Sequence, residues 1–322
     1  CVENSNKVIL AGTHLERNNI KKLKSDYYHK SLNAYLSRKV KIIDEKSLDK
    51  YLKDSPDYIV IAISSLGIDW VCDKLIKNYK KKLSIILLTK GLVKDGNKVI
   101  TISNKINKIF NRKNLPNQDI TSIKGPCLAA GLINKIRTST IIANRNINNA
   151  KKIQKLISTN YYNTEISKDI NGVEAMGAIK NIYAMLVGAS LGLSGKFQKF
   201  KIRDKYYHNT SSALLSKSLA EMKLFAKKMK GLPQTAYGLA GIGDLYVSVA
   251  GGRNSQLGKY LGNGLKYKSI KKNKMQKITT EGSDLALEIG PTLKKKYNKR
   301  DFPIMFALID SICKNQVLKI KW

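Results

Sequence analysis

Residues 58–91, YIVIAISSLGIDWVCDKLIKNYKKKLSIILLTKG, contain a complete strand–helix–strand pattern. Residues 58–63 and 84–88 are almost continuous apolar runs, which are typical of parallel strands buried on both faces. Between them, residues 66–82 have apolar side chains at helical spacing and end in lysines, which suit a helix C-terminus. This alternation predicts a parallel sheet with helices packed on its faces.

The same pattern continues on both sides of this stretch. Residues 7–11 (KVILA) and 139–143 (STIIA) are further β-branched runs, so residues 1–169 are predicted to form a Rossmann-like, doubly wound α/β domain. This is the architecture of dinucleotide-binding domains, so a dinucleotide is the ligand to test for in the motifs below. We expect a second, all-helical domain over residues 170–322. Its predicted helices cover 173–193, 212–230, 282–293 and 304–314.

Length, cysteine usage and hydropathy limit the class of protein. A chain of 322 residues agrees with two domains, and 43% hydrophobic residues are enough for a sizeable core. The four cysteines lie far apart with no CxxC pair, so we expect neither a disulfide framework nor a bound metal. Because no long uncharged apolar segment and no secretory signal are visible, we expect a cytoplasmic protein without a membrane span.

The chain is strongly basic, since 59 Lys+Arg against 23 Asp+Glu give a formal net charge of +36. Such a charge raises nucleic acid as a partner. The basic residues are mostly lysines spread along the whole chain, however, whereas proteins that read bases rely on arginine and on interleaved aromatic residues. We therefore expect no nucleic-acid partner and interpret the charge as solvated surface that attracts acidic substrates.

The most informative helix covers residues 173–193 (VEAMGAIKNIYAMLVGASLGL), which are apolar around almost the whole circumference. A helix of this kind is buried, yet it carries Lys180 and Asn181 at its centre. The alternative is that Lys180, like most lysines, lies on a solvated face. A buried ammonium must be paired or lose its proton, and a lysine with a lowered pKa suits proton transfer at a carbonyl or alcohol.

A second candidate site lies in residues 239–254, which open with LAGIGD and close with GGRN. Arg253 is one of the few arginines, and its planar guanidinium suits a phosphate or a carboxylate. The alternative is an ordinary turn that opens a helix with Asn254 as its cap. Asp244, which follows Gly243, is placed either to orient a substrate hydroxyl or to pair with Lys180.

Two loops of the first domain are further candidates. Lys90 directly follows a predicted strand, and ligands of open α/β sheets lie beyond the carboxyl ends of strands. An ordinary solvated loop lysine is the alternative for this residue. Residues 124–127 (KGPC) are predicted to form a loop towards the next strand that reaches the same cleft. Cys127 has no histidine nearby in sequence, so a nucleophilic role is not favoured.

The sequence lacks the G-x-G-x-x-G fingerprint that follows the first strand of a dinucleotide-binding sheet. Residues 7–11, with Gly12 and Thr13 at their end, are instead similar to the second strand of such a unit, whose end meets the adenosine ribose. We therefore expect that about 20 residues of a first βα unit precede Cys1. Because no acidic residue stands immediately at that strand end, both NAD and NADP remain open as cofactors.

Six short segments follow one another in a recognisable order. They are TKG (89–91), GPCLA (125–129), GAIKNIYA (177–184), LAGIGDLYVS (239–248), GGRN (251–254) and TEG (280–282). Together they resemble the NAD-dependent sn-glycerol-3-phosphate dehydrogenase family over nearly the whole chain. The resemblance implies reduction of dihydroxyacetone phosphate by NADH or NADPH in a cleft between a Rossmann domain and a helical domain, which feeds glycerophospholipid synthesis.

The resemblance also implies roles for individual residues. Lys180 resembles the catalytic acid/base, and Lys90 resembles a second catalytic lysine that polarises the substrate oxygen. The implied substrate-binding residues are Lys90, Gly125, Cys127, Lys180, Asn181, Asp244, Arg253 and Asn254. The implied cofactor-binding residues are Thr13, Lys90, Ala129, Arg253 and Glu281.

Two features depart from the family pattern. Cys127 stands where bacterial members usually have serine, and residues 194–208 resemble an insertion rich in lysine and aromatic residues. A dehydrogenase of another small polyol phosphate therefore remains open as a second function. A cofactor-incompetent remnant and a basic binding protein also remain open, as does a homodimer.

Overall fold

The computed structural model describes residues 1–194 and 200–321. Its strands are β1 (Val8–Ala11), β2 (Tyr28–His29), β3 (Ala34–Tyr35), β4 (Val40–Ile43), β5 (Ile59–Ile61), β6 (Ser84–Leu87), β7 (Leu92–Asp95), β8 (Lys98–Thr101), β9 (Asp119–Lys124), β10 (Thr138–Ala143) and β11 (Tyr162–Ser167). Its α-helices are α1 (Arg17–Asp26), α2 (Glu45–Lys53), α3 (Ile68–Asn78), α4 (Ile102–Asn111), α5 (Ala129–Ile133), α6 (Ile147–Ile157), α7 (Ile170–Gly188), α8 (Ser190–Leu193), α9 (Phe200–Tyr206), α10 (His208–Lys228), α11 (Asp244–Gly251), α12 (Arg253–Gly262), α13 (Tyr267–Asn273), α14 (Glu281–Lys296) and α15 (Pro303–Cys313). Of the predicted insertion, residues 195–199 lie outside the described residues.

The chain forms two compact units. The first contains Cys1–Leu88, Ile106–Ile123 and Cys127–Lys168, and the second contains Thr89–Lys105, Lys124–Pro126 and the chain from Asp169 onward. Two short segments of the amino-terminal half therefore belong to the second unit. The domain boundary between residues 169 and 170 stays a prediction.

The first unit is built around a five-stranded sheet of order β11–β10–β9–β6–β5. The pairs β5–β6, β6–β9 and β10–β11 are parallel. One cluster of buried residues lies on this sheet and α6, as expected for strands whose connecting helices cover them. Its members are Ile86, Ile123, Ile142, Ala150 and Ile153.

A second, two-stranded parallel sheet in the same unit joins β1 to β4, with Val8 opposite Val40 and Ala11 opposite Ile43. Its core is small and contains Ile20, Leu23 and Ile42. β1 confirms the strand predicted over residues 7–11, and its carboxyl end leads directly to Gly12 and Thr13.

The second unit is organised around α7, which is buried over almost its whole length as the sequence predicts. Helices α10, α11, α12 and α14 pack around it. Contact with α12 is especially close, because a Cβ at Gly258 would lie 1.9 Å from the carbonyl oxygen of Met185 and one at Gly262 would lie 2.2 Å from that of Ala189. The two helices therefore meet backbone to backbone.

Within the described residues beyond Asp169, every regular element is a helix. The predicted combination of a Rossmann-like parallel sheet and a helical part is therefore confirmed. None of the helices within residues 1–194 and 200–321 combines the length and apolar character that a membrane crossing requires.

Candidate functional site

The centre of the candidate site is the carboxylate of Asp244, which lies between two lysines. Nζ of Lys90 lies 2.7 Å from Oδ2, and Nζ of Lys180 lies 2.8 Å from Oδ1. Lys180 and Asp244 are buried, whereas Lys90 is half-buried. All three residues belong to the second compact unit. One carboxylate thus pairs with two ammonium groups, and the predicted pairing of Lys180 with Asp244 is confirmed.

Three different elements supply these side chains. Lys180 lies near the middle of α7, and Lys90 lies between β6 and β7, followed by Gly91 with a φ of 152° that favours glycine. Asp244 is the first residue of α11 and follows a short π-helical segment, Leu239–Gly243. A helix N-terminus stabilises a carboxylate because its unpaired backbone N–H groups carry partial positive charge.

The environment of Lys180 makes its ammonium a better proton donor. Burial lowers the pKa of Lys180 from its ordinary value of 10.5, because the charged form loses its hydration. The negative charge of Asp244 opposes this shift, and the positive charge of Lys90 adds to it. A general acid is most effective when its pKa lies near the operating pH, so this shift has the direction that proton transfer requires.

Ser248 completes the contacts of Lys180, and the sequence-based prediction missed it. Nζ of Lys180 donates to Oγ of Ser248, and that hydroxyl donates to the backbone oxygen of Asp244 at 2.8 Å. Ser248 lies four residues after Asp244 on α11. Side chains at that spacing share one face of a helix, and this spacing is the signal that could have identified Ser248.

A network of amide and carboxylate groups continues from α7. Nδ2 of Asn181 donates to Oε2 of Glu281 at 3.0 Å, and Oδ1 of Asn181 accepts from Nδ2 of Asn254 at 3.1 Å. Oδ1 of Asn254 accepts the backbone N–H of Gly282 at 2.9 Å. Nη2 of Arg253 lies 4.0 Å from Oε1 of Glu281, and its side chain is exposed. The guanidinium of Arg253 is therefore exposed to solvent, next to the buried amide groups of Asn181 and Asn254.

The helix that starts at this network is not capped by Asn254. α12 begins at Arg253, and Gly252 occupies the cap position. The interpretation of Asn254 as the helix cap is therefore wrong, because its side chain is used in the network with Asn181 and Gly282.

The predicted loop over residues 124–127 is also wrong in part. Lys124 is the last residue of β9, and it is buried. The following residues lead to α5 and not directly to another strand. Gly125 has a φ of 138° and belongs to the second unit with Lys124.

The remaining predicted residues lie in the first unit. Thr13 follows β1, and its backbone N–H and hydroxyl donate to Oε2 of Glu16 at 3.1 and 3.2 Å. Cys127 is half-buried, and Ala129 is exposed at the start of α5. Their assigned roles stay predictions. Among the described residues, no group of three or more His, Cys, Asp or Glu side chains could hold a metal ion.

Two family models match the chain. The model of the NAD-dependent glycerol-3-phosphate dehydrogenase N-terminus matches residues 2–150, and the model of the C-terminus matches residues 169–320. An NADP(+)-dependent glycerol-3-phosphate dehydrogenase of Archaeoglobus fulgidus is 26% identical over 264 residues, which are 82% of this chain and 75% of the relative.

Two further proteins agree with these matches. A glycerol-3-phosphate dehydrogenase (NAD(P)+) of Clostridium botulinum is 28% identical over 266 residues, which are 82% of this chain and 72% of the relative. The solved structure of a glycerol-3-phosphate dehydrogenase of Coxiella burnetii has a TM-score of 0.81 at 21% identity and covers 98% of this chain and 90% of that one. The structural match shows a shared fold.

Proposed function

Because this chain belongs to the NAD-dependent glycerol-3-phosphate dehydrogenase family, we propose that it transfers a hydride between a nicotinamide cofactor and C2 of glycerol 3-phosphate or dihydroxyacetone phosphate. The observation that carries this proposal is the carboxylate of Asp244 shared by Lys90 and Lys180. Reduction of a carbonyl needs a hydride and a proton, and a buried lysine of lowered pKa is suited to supply the proton.

The carboxyl end of β1 fits the ribose end of a nicotinamide dinucleotide. Thr13 and the exposed carboxylate of Glu16 lie together at this strand end, and an acidic side chain there is suited to accept hydrogen bonds from ribose hydroxyls. The same carboxylate would repel a 2′-phosphate, which favours NAD over NADP. When bound, the nicotinamide supplies the hydride. The roles of Lys90, Ala129, Arg253 and Glu281 toward the cofactor are part of the proposal.

Lys180 is proposed as the residue that gives its proton to the carbonyl oxygen at C2. After transfer the neutral amine remains within hydrogen-bond distance of Asp244 and Ser248, which hold it in place until it is protonated again. Lys90 is proposed to polarise the same oxygen with its ammonium. In the reverse direction the neutral form of Lys180 accepts the proton of the alcohol.

The phosphate of the substrate is proposed to bind at the start of α12. Arg253 is the first residue of this helix, where unpaired backbone N–H groups favour an anion. Asn254 is fixed by the network with Asn181, and Oε1 of Glu281 lies 4.0 Å from Nη2 of Arg253. Gly125, Cys127 and Asp244 are the other proposed substrate contacts.

The test is oxidation of NADH, and separately of NADPH, by dihydroxyacetone phosphate. Lys180→Met should lower kcat by about 100-fold or more, because the proton donor is lost while the apolar stem remains. Lys223→Met is the matched control, since Lys223 is an exposed lysine of α10, and it should leave turnover unchanged. Circular dichroism should show that both variants are folded.

Three results would contradict the proposal. Full turnover in the Lys180→Met variant would remove this residue from the mechanism. Turnover only with a different polyol phosphate would replace the substrate, and no turnover with any would favour a cofactor-incompetent chain. The proposal also includes a cytoplasmic location. Size-exclusion chromatography would show whether the enzyme is a monomer or a homodimer.

A further inference from the structure

Two buried residues of opposite charge lie in the second unit and have no part in the reaction proposed above. Lys124, at the end of β9, is 2% exposed, and Glu174, in the first turns of α7, is 1% exposed. Glu174, Gly177 and Lys180 follow one another at intervals of three residues along α7. Residues at this interval lie about one helical turn apart on neighbouring parts of the helix surface. Burial of two ionisable groups this close to the candidate site calls for a physical reason.

Gly177 provides the space for the Lys124 side chain on α7. A Cβ at position 177 would lie 2.9 Å from Cδ and 3.0 Å from Cγ of Lys124, which is closer than such atoms normally approach. The methylene chain of Lys124 therefore lies against the helix one turn before Lys180. A larger residue at position 177 would displace the lysine.

The charge of Lys124 acts on the candidate site. Burial lowers the pKa of Lys124 to about 8, although the negative charges of Glu174 and Asp244 oppose the shift, while Lys90 adds to it. One oxygen of Glu174, Oε2, accepts the backbone N–H of Ser103 at 3.1 Å. Burial raises the pKa of Glu174, and the positive charge of Lys124 opposes that shift. The charged groups that act on Lys124 thus come from α7, from α11 and from the loop before β7.

Lys124 changes the charge balance of the whole cluster. With all groups ionised, the three lysines Lys90, Lys124 and Lys180 face the two carboxylates of Glu174 and Asp244, which leaves one positive charge in excess. When Lys124 loses its proton, this excess disappears. The substrate class proposed above carries a phosphate, so an excess positive charge in a buried cluster would strengthen its binding.

We propose that Lys124 is a positioning residue of this site, whose ammonium group, balanced by Glu174, keeps the cluster around Asp244 positively charged for an anionic substrate without touching that substrate. The inference rests on the proposed function, since it concerns the same site and a phosphate-bearing ligand. It adds a third lysine that acts through Asp244 and Lys90, the two charged residues that it shares with the site.

The experiment uses sulfate as the probe, because sulfate remains a dianion over the relevant pH range and its binding needs no turnover. Calorimetry would measure its affinity at about pH 7 and about pH 9, on both sides of the pKa of Lys124. The main variant is Lys124→Met with Glu174→Gln, which removes both buried charges together and leaves no unpaired ion. Lys295→Met is the matched control, because it removes one exposed lysine from α14.

The wild type should bind sulfate about 3- to 10-fold more weakly at the higher pH than at the lower. The double variant loses one positive and one negative charge and keeps the excess of one, so it should bind sulfate at both pH values about as tightly as the wild type does at the lower one. Its kcat at the lower pH should change less than about twofold. Lys124→Arg should also bind tightly at both pH values, because arginine keeps its charge. A residue with only a structural role would not produce this pH dependence.

A single variant provides a second test if the double variant does not fold. Glu174→Gln removes the negative charge that opposes deprotonation of Lys124, so the fall in sulfate affinity should move to lower pH. Identical sulfate affinities and pH dependences in the wild type and in the folded variants would overturn the proposal, as would an equal loss of the pH dependence in Lys295→Met. A wild type that binds sulfate in this Lys124-dependent way but does not oxidise NADH would contradict the proposed function and leave the role of Lys124 intact.

Discussion

Replacing Glu221 by glutamine should remove a large part of the pH dependence of folding stability. Glu221 belongs to α10 and is 5% exposed. Its carboxylate reaches the start of α15, where Oε1 accepts the backbone N–H of Ile304 at 2.8 Å and Oε2 accepts that of Met305 at 3.0 Å. The hydroxyl of Tyr183 on α7 donates to the same Oε2 at 3.1 Å. Burial raises the pKa of Glu221 from 4.5 to about 7, and these hydrogen bonds oppose the shift only in part.

The magnitude follows from the difference between the folded and unfolded states. Because the folded state binds this proton more tightly, protonation of Glu221 stabilises the fold. The contribution is fully present below about pH 4.5, and it is lost as the pH rises through about 7. At about 1.4 kcal/mol for each pH unit between the two pKa values, the loss is about 3 kcal/mol.

Urea unfolding followed by circular dichroism at a series of pH values would measure this loss. Glutamine is neutral like the protonated carboxyl group, keeps one carbonyl acceptor, and does not titrate. The free energy of unfolding of the wild type should therefore fall by about 3 kcal/mol relative to Glu221→Gln between about pH 4.5 and pH 8. Glu165→Gln, at an exposed position of β11, is the control and should follow the wild type. Parallel curves for the wild type and Glu221→Gln would refute the reasoning.

Two further predictions concern α12. Gly258→Ala should lower the free energy of unfolding by more than about 2 kcal/mol, because the new methyl group would lie 1.9 Å from the backbone oxygen of Met185; an unchanged urea midpoint would show that the helices can separate without cost. Arg253→Lys should raise the KM for dihydroxyacetone phosphate by about tenfold with little change in kcat, since a point charge replaces a planar group that binds through two nitrogens. Steady-state kinetics would decide, and an unchanged KM would exclude Arg253 as the phosphate ligand.

The helix that carries Lys180 could be predicted from the sequence, and the reason is physical. Apolar side chains around its whole circumference leave no face that water could solvate. The helix must therefore be buried, and its one lysine is buried with it. The sequence did not decide the partner of Lys180, because an aspartate next to a glycine-rich turn can also form hydrogen bonds with the backbone of that turn. The structure distinguishes these possibilities by a distance between residues 64 positions apart.

Strand β9 and the charge at its end could not be predicted in the same way. Its residues Thr121, Ser122 and Lys124 are polar but buried, so the strand lacks the apolar run that identifies β5 and β6. Thr121 is tolerated in the interior because of a partner far away in sequence, since its Oγ1 accepts from Nδ2 of Asn144 at 2.6 Å. The sequence contains no local signal for contacts of this kind.

The close contact between α7 and α12 has a consequence for the choice of substrate. α7 carries Lys180 and α12 begins with Arg253, and the two helices touch through backbone atoms at Gly258 and Gly262. Side chains can change rotamer to admit a longer ligand, but backbone atoms in contact cannot. The distance between the backbone segments that carry Lys180 and Arg253 is therefore fixed, and only rotamer changes of these two side chains can adjust the site to a longer ligand. Substrates with one carbon more between the carbonyl and the phosphate should therefore fit less well, even though both of their functional groups are the ones that Lys180 and Arg253 would bind.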